Sequence, residues 1–146
     1  MQAKIATIAI SLDSEALDFR IPIQEDCSAG AVAAFIGKAR RTSHFPGKRI
    51  VRGLFYEAAT QLAINSLTAI ATEVADECAL TAVSVHHRVG FVPCGAPSIV
   101  VVAEAKARGA TFAAIPQIVD RIKGETPIWK KEVFDDQEAR WIHPIS

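Results

Sequence analysis

A chain of 146 residues, half of them apolar and under a quarter charged, suits one domain with a core of its own and excludes a disordered or low-complexity protein. Sixteen basic side chains balance sixteen acidic ones, so no global field draws in nucleic acid or an anionic membrane, and any attraction for anions has to be local. The three cysteines are far apart and in no C-x-x-C pair, which excludes a cysteine zinc site and fits a reducing compartment. MQAKIATIAISLDSEAL lacks a signal-peptide pattern, and no run of about eighteen apolar residues exists, so the expected location is the cytoplasm.

In chain order, KIATIAISL is apolar and β-branched and predicts a strand. DFRIPI, Asp18 to Ile23, predicts an extended segment whose Pro22 suits a sheet edge. SAGAVAAFIGKARR is ambiguous. Its alanines favour a helix, while Val32, Ala34 and Ile36 alternating with Ala33, Phe35 and Gly37 fit a buried strand. RTSHFPGKR, Arg41 to Arg49, predicts an exposed, mobile basic loop, and IVRGLFYE a strand. Ala58 to Cys78 is the clearest helix, with Leu67, Ile70, Val74 and Cys78 on one side and Thr72, Glu73 and Asp76 on the other.

TAVSVHHRVGFVP predicts a strand broken at Gly90, and PSIVVVAEA a central strand. ARGATFAAIPQIVDRIKG predicts a second helix with Phe112, Ile115, Val119 and Ile122 along one face, although Pro116 inside it is awkward. PIWKKEVF and ARWIHPI predict short extended pieces around an acidic turn, DDQE. Strands and helices mix without regular βαβ alternation, so the expected class is α+β.

Neither a G-x-G-x-x-G after a strand, nor a phosphate-binding G-x-x-x-x-G-K-[ST], nor a G-x-S-x-G nucleophile elbow is present. His86 and His87 adjoin on a predicted strand, so they face opposite ways and cannot share a metal ion; both read first as structural histidines. The basic residues are more informative. Arg108 opens the second helix, where the helix dipole repels a cation unless an anion is shared with the free N–H groups. Lys123 ends that helix and either complements its dipole or lines a site. Pro127 stops the helix, and Trp129 is expected to pack the turn, leaving Lys130 or Lys131 to face back towards Lys123. Two ammonium groups brought together lower each other's pKa, which suits one of them to proton transfer or nucleophilic attack.

KGETPIWKKE, Lys123 to Glu132, resembles the K-x-x-x-P-[IF]-W-K-[KR]-E signature of the large, catalytic subunit of molybdopterin synthase. GAVAAFIGKAR resembles the family's G-A-x-x-x-F-x-G-x-V-R segment, LFYEAATQLA its L-x-Y-E-x-Y-x-x-M-A segment, and VHHRVG its I-H-R-[IL]-G segment. FAAIPQIVDRIK is similar to the F-x-A-x-x-x-I-x-D-x-[IL]-K helix, and RWI to the closing tryptophan strand. The six segments follow the family's order from Gly30 to Ile142.

The resemblance implies an α/β-hammerhead fold with an additional α+β lobe, forming a single domain over residues 1–146, and makes GAVAAFIGKAR a strand. It implies a homodimer in which each chain binds a small ubiquitin-like subunit ending in a Gly-Gly thiocarboxylate. The implied reaction is sulfurtransferase chemistry that converts cyclic pyranopterin monophosphate to molybdopterin, with no resident cofactor and no metal. By the same resemblance Lys123 and Lys130 are the catalytic pair, Lys123 handling protons and charge as the acyl group leaves sulfur. Lys38, Arg40, Arg108, Lys131 and Glu132 fall on substrate-binding positions, with Arg108 reaching the site from the neighbouring subunit.

The chain departs from the family pattern in three places. Ala107 stands where the family has the histidine of a His-Arg pair, Ala59 to Leu62 replaces Y-x-x-M, and Pro116 enters the second helix. His44 in the basic loop is a candidate substitute for the missing histidine. These departures leave open an alternative, a non-catalytic relative that binds a ubiquitin-like tail as scaffold or regulator.

Overall fold

The computed structural model describes residues 5–18 and 27–143, so most of the predicted segment DFRIPI lies outside the described residues. The elements are β1 Thr7–Asp13, β2 Ala31–Lys38, β3 Val51–Ala58, α1 Thr60–Cys78, β4 Leu80–Arg88, β5 Gly90–Pro93, β6 Pro97–Ala105, α2 Arg108–Glu125, β7 Ile128–Phe134 and β8 Ala139–Ile142. They form an α+β fold with two four-stranded sheets, ordered β1-β4-β6-β2 and β5-β3-β7-β8.

Both helices cover one face of the first sheet. Leu67, Ile70 and Val74 of α1 and Ala114, Ile118 and Ile122 of α2 pack on Val83, Val85, Val101 and Ala103. Buried aliphatic surface contributes about 25 cal/mol for each Å² removed from water, so this layer holds the first sheet and the helices together. No described helix is long and apolar enough to cross a membrane.

The ambiguous stretch is strand β2, paired antiparallel with β6 from Ala31 against Ala105 to Gly37 against Ile99. Pairing with the β-branched run of β6 outweighs the helical preference of its alanines. Gly37 is required there, because a Cβ would lie 2.7 Å from Ile99 Cγ2.

Pro116 lies inside α2 without ending it. Its missing N–H would have bonded the carbonyl of Phe112, and both residues lie on the exposed side, where water can reach that carbonyl. The buried face of α2 is Thr111, Ala114, Ile118, Val119 and Ile122, whereas Phe112 is 66% exposed, so the predicted stripe is rotated at its start. Neither helix has a side-chain cap, because Ala59 and Ala107 occupy the N-cap positions.

α1 ends at Ala79, which takes the left-handed conformation at φ 55° and ψ 47° and turns the chain directly into β4. A Cβ is disfavoured in that conformation and glycine is not. Ala79→Gly is therefore expected to stabilise the fold by about 0.5–1 kcal/mol, read as a higher urea midpoint with an unchanged slope.

Candidate active site

The end of α2 is tied down before the chain enters β7. Thr126 caps the helix by donating its N–H to Ile122 O, and its hydroxyl meets Ser66 Oγ of α1 at 2.9 Å. Pro127 O then accepts the N–H of Ala59 at 3.2 Å, so the entry to β7 is locked to the start of α1. From there β7 runs antiparallel to β3, with Ile128 opposite Ala58, Lys130 opposite Tyr56 and Glu132 opposite Leu54.

Side chains alternate along a strand, so Lys130 and Glu132 share one face of the second sheet while Trp129 and Lys131 take the other. Lys130 is half-buried on the inner face. Burial, then the charges of Lys123 and Arg40, hold its ammonium below the usual lysine range, against an opposing pull from Glu132. Lys123 is an exposed residue in the last turn of α2. Arg40 follows Ala39, which is fixed by its N–H to Ala96 O at 3.1 Å and by Gly95 N–H to its own carbonyl at 2.7 Å. Three separate segments thus bring a cation to one place.

Tyr56 and His87 lie behind Lys130, and their rings meet edge-on with centroids 4.9 Å apart. Both are buried. Burial raises the Tyr56 pKa, opposed by its hydrogen bond to Ser98. Burial lowers that of His87, helped by the charge of Lys130 and opposed by the contact with Arg88 O. His87 is therefore neutral at neutral pH. It is buried, as a structural histidine would be, yet it borders the cation cluster. His86 points to the opposite face, with its Nδ1 at 2.5 Å from Ser11 Oγ.

Glu132 is only 3% exposed. Its Oε1 accepts the Ser43 hydroxyl at 2.6 Å and its Oε2 the His44 N–H at 2.8 Å. Both oxygens hold the basic loop that runs from Arg41 to Arg49. The far side of that loop is clamped as well. Arg49 pairs with Asp136 at 2.7 Å and Glu138 at 2.9 Å and lies 3.8 Å above the Phe134 ring, while Arg140 stacks 3.9 Å from Phe45. The loop expected to be mobile is anchored at both ends.

The remaining predicted positions are not among the charges that act on Lys130 within one chain. Lys131 is held on the outer face, 5.0 Å from the centroids of both Phe55 and Trp141. Trp129 does not pack the turn; it is 45% exposed and lines an outer groove of about 430 Å³ with Glu57, Trp141, Ile142 and His143. Lys38 ends β2 at an exposed position beside a register shift. Arg108 opens α2, and fifteen residues of helix at about 1.5 Å each put it roughly 22 Å from Lys123. His44 is fixed through its backbone, with its ring edge-on to Phe45 at 5.4 Å.

A family model, that of the MoaE protein, matches residues 9–125. The chain belongs to the MoaE family. It is 42% identical over 114 residues to a molybdopterin synthase catalytic subunit of Oryza sativa subsp. indica, covering 78% of this chain and 58% of the relative. The catalytic subunit of Rattus norvegicus is 32% identical over 112 residues, covering 77% and 54%. That of Bacillus subtilis is 36% identical over 118 residues, covering 81% and 73%. The chain thus spans little more than half the length of the rice and rat relatives.

Among solved structures, molybdopterin synthase from Staphylococcus aureus superposes with a TM-score of 0.76 at 25% identity, covering 97% of this chain and 99% of that one. A Helicobacter pylori complex of subunits 1 and 2 of molybdopterin-converting factor gives 0.70 at 20% identity, covering 97% and 92%. The likeness extends past the residues that the family model matches, through β7 and β8.

Glu132→Gln leaves the shape of the side chain but removes the charge that two donors share. It is expected to cost about 1–3 kcal/mol of stability and to open the loop, read as a lower urea midpoint and faster tryptic cleavage between Arg41 and Arg49.

Proposed function

We propose that the chain is the catalytic subunit of a molybdopterin synthase, a sulfurtransferase that converts cyclic pyranopterin monophosphate to molybdopterin. The sulfur comes from the C-terminal thiocarboxylate of a small ubiquitin-like subunit. The observation that carries this reading is the convergence of Lys123, Lys130 and Arg40 around one half-buried amine, in a chain whose relatives bear that enzyme's name. Both reactants are anions, and sulfur transfer needs both held while charge moves from sulfur to oxygen.

In this reading residues 1–146 act as one unit in the cytoplasm. Lys123 supplies a proton and stabilises charge as the acyl–sulfur bond breaks, because a solvent-reached ammonium can reload from water. Lys130, whose ammonium is held below the usual lysine range, holds the acyl end of the tail. Arg40 takes phosphate through its planar fork, with Lys38 adding charge at the rim. Arg108 completes the phosphate clamp from a second copy of the chain, a reading that its distance along α2 from its own Lys123 supports. Glu132 serves by fixing the basic loop, and Lys131 by the surface it presents outside the pocket.

The test is molybdopterin formation from thiocarboxylated small subunit and cyclic pyranopterin monophosphate. Lys123→Ala is expected to lower the rate at least a hundredfold, Lys131→Ala by less than about threefold, and Ala107→His to raise it. Tight binding of the small subunit with no product from the parent chain would instead mark a non-catalytic tail-binding relative.

A further inference from the structure

The roles above leave the outer face of the second sheet unused. Strand pairing sets its side chains out in rows. Glu57 stands opposite Trp129 in one row, and Phe55, Lys131 and Trp141 follow one another in the next. Trp129 and Trp141, the only two tryptophans of the chain, are 45% and 43% exposed. With Glu57, Ile142 and His143 they line the groove of about 430 Å³. Large aromatic side chains are where an interface gains most by excluding water.

Glu57 gives the groove its sign. It is the one carboxylate in the lining, which holds no lysine or arginine, and it forms no ion pair with a described residue. The same face shows what its rings attract. The Lys131 ammonium lies 5.0 Å from the centroids of Phe55 and Trp141, whereas no described cation lies over Trp129.

The topology sets the length of the side chain that fits. Glu57 is on β3, with β7 and β8 between it and the free edge of the sheet. The two spacings from β3 to β8 come to about 10 Å, so a side chain entering over β8 crosses both tryptophans before it meets the carboxylate. Arginine and lysine suit that path, because their apolar stems lie on rings while the charge stays at the tip. An acidic side chain would meet like charge, and an apolar one would cover the rings but strip water from Glu57 with nothing in return. As an edge strand, β8 also presents backbone groups along which another chain can lie.

We propose that this groove is a docking site for a partner protein that lies along β8 and seats one arginine or lysine across Trp141 and Trp129, its charge on Glu57. The groove is on the opposite face of the sheet from Lys130, so the assignment stands independently of the sulfur-transfer reading.

Both tryptophans border the groove, so intrinsic fluorescence reads its occupancy directly. The probes are an end-blocked Val-Thr-Arg-Thr-Val peptide and the same peptide with citrulline for arginine, which keeps the shape and loses the charge. The arginine peptide is expected to shift the emission saturably and to bind about fivefold tighter than the citrulline peptide. In Glu57→Gln, an exposed substitution that leaves the core untouched, the two peptides are expected to bind alike. Equal binding by the parent, no saturable shift at millimolar peptide, or a preference that survives Glu57→Gln each overturns the proposal. An emission shift that follows the chain's own concentration without peptide also overturns it, by giving the groove to a second copy.

Discussion

The antiparallel pairing of β7 with β3 is the constraint on which the rest of the site depends. Lys130 stands opposite Tyr56 and Glu132 opposite Leu54, so one face of β7 carries the amine and the carboxylate that anchors the basic loop. A slip of one residue would send Lys130 outwards to the aromatic face and bring Lys131 in, because side chains on a strand repeat every second position. Several contacts prevent that slip. The Ala59 N–H on Pro127 O fixes where β7 begins, and the Thr126–Ser66 contact holds the preceding helix end against α1. On the outer face, Lys131 between Phe55 and Trp141 adds a preference for the same register.

With the register fixed, the electrostatics of the site follow. Lys123, Lys130 and Arg40 come from a helix end, a strand and the segment after another strand, and none of them forms an ion pair with a described residue. Gathering like charges opposes folding, and the protein offsets this with the core under α1 and α2 and with the buried Glu132 nearby. Such an arrangement is most stable with an anion present, since each added negative charge relieves the repulsion. Stability is given up locally where binding gains from it.

How much of this was legible in the sequence differs from residue to residue. Periodicity sufficed for α1, whose Leu67, Ile70 and Val74 are buried as expected, and for the β-branched runs of β4 and β6. It failed for the start of α2, where Phe112 is exposed and the buried face runs instead through Thr111, Ala114 and Ile118. The alanine-rich β2 could be read as a strand only through the family resemblance, since its local propensity points the other way and its partner is distant in sequence. The doublet Lys130-Lys131 left open which lysine turns inwards, and only the pairing with β3 decides it. Tyr56 and His87 carried no local signal of a site. Their proximity to Lys130 depends on how the two sheets meet, which no spacing encodes. Glu132 was expected to touch substrate because of where it falls in the motif, yet both of its oxygens are committed to Ser43 and His44.

The central claim is that Lys123 and Arg40 stand near enough to Lys130 to perturb its amine. Competitive acetylation across a pH series, with each lysine quantified by mass spectrometry, titrates Lys130 directly in the parent and in Lys123→Ala. A Lys130 midpoint below the ordinary lysine range in the parent, moving upwards when the Lys123 charge is removed, is the expected result. An ordinary midpoint that does not respond to Lys123→Ala would contradict the convergence, and with it the assignment of this face of β7 as the active site.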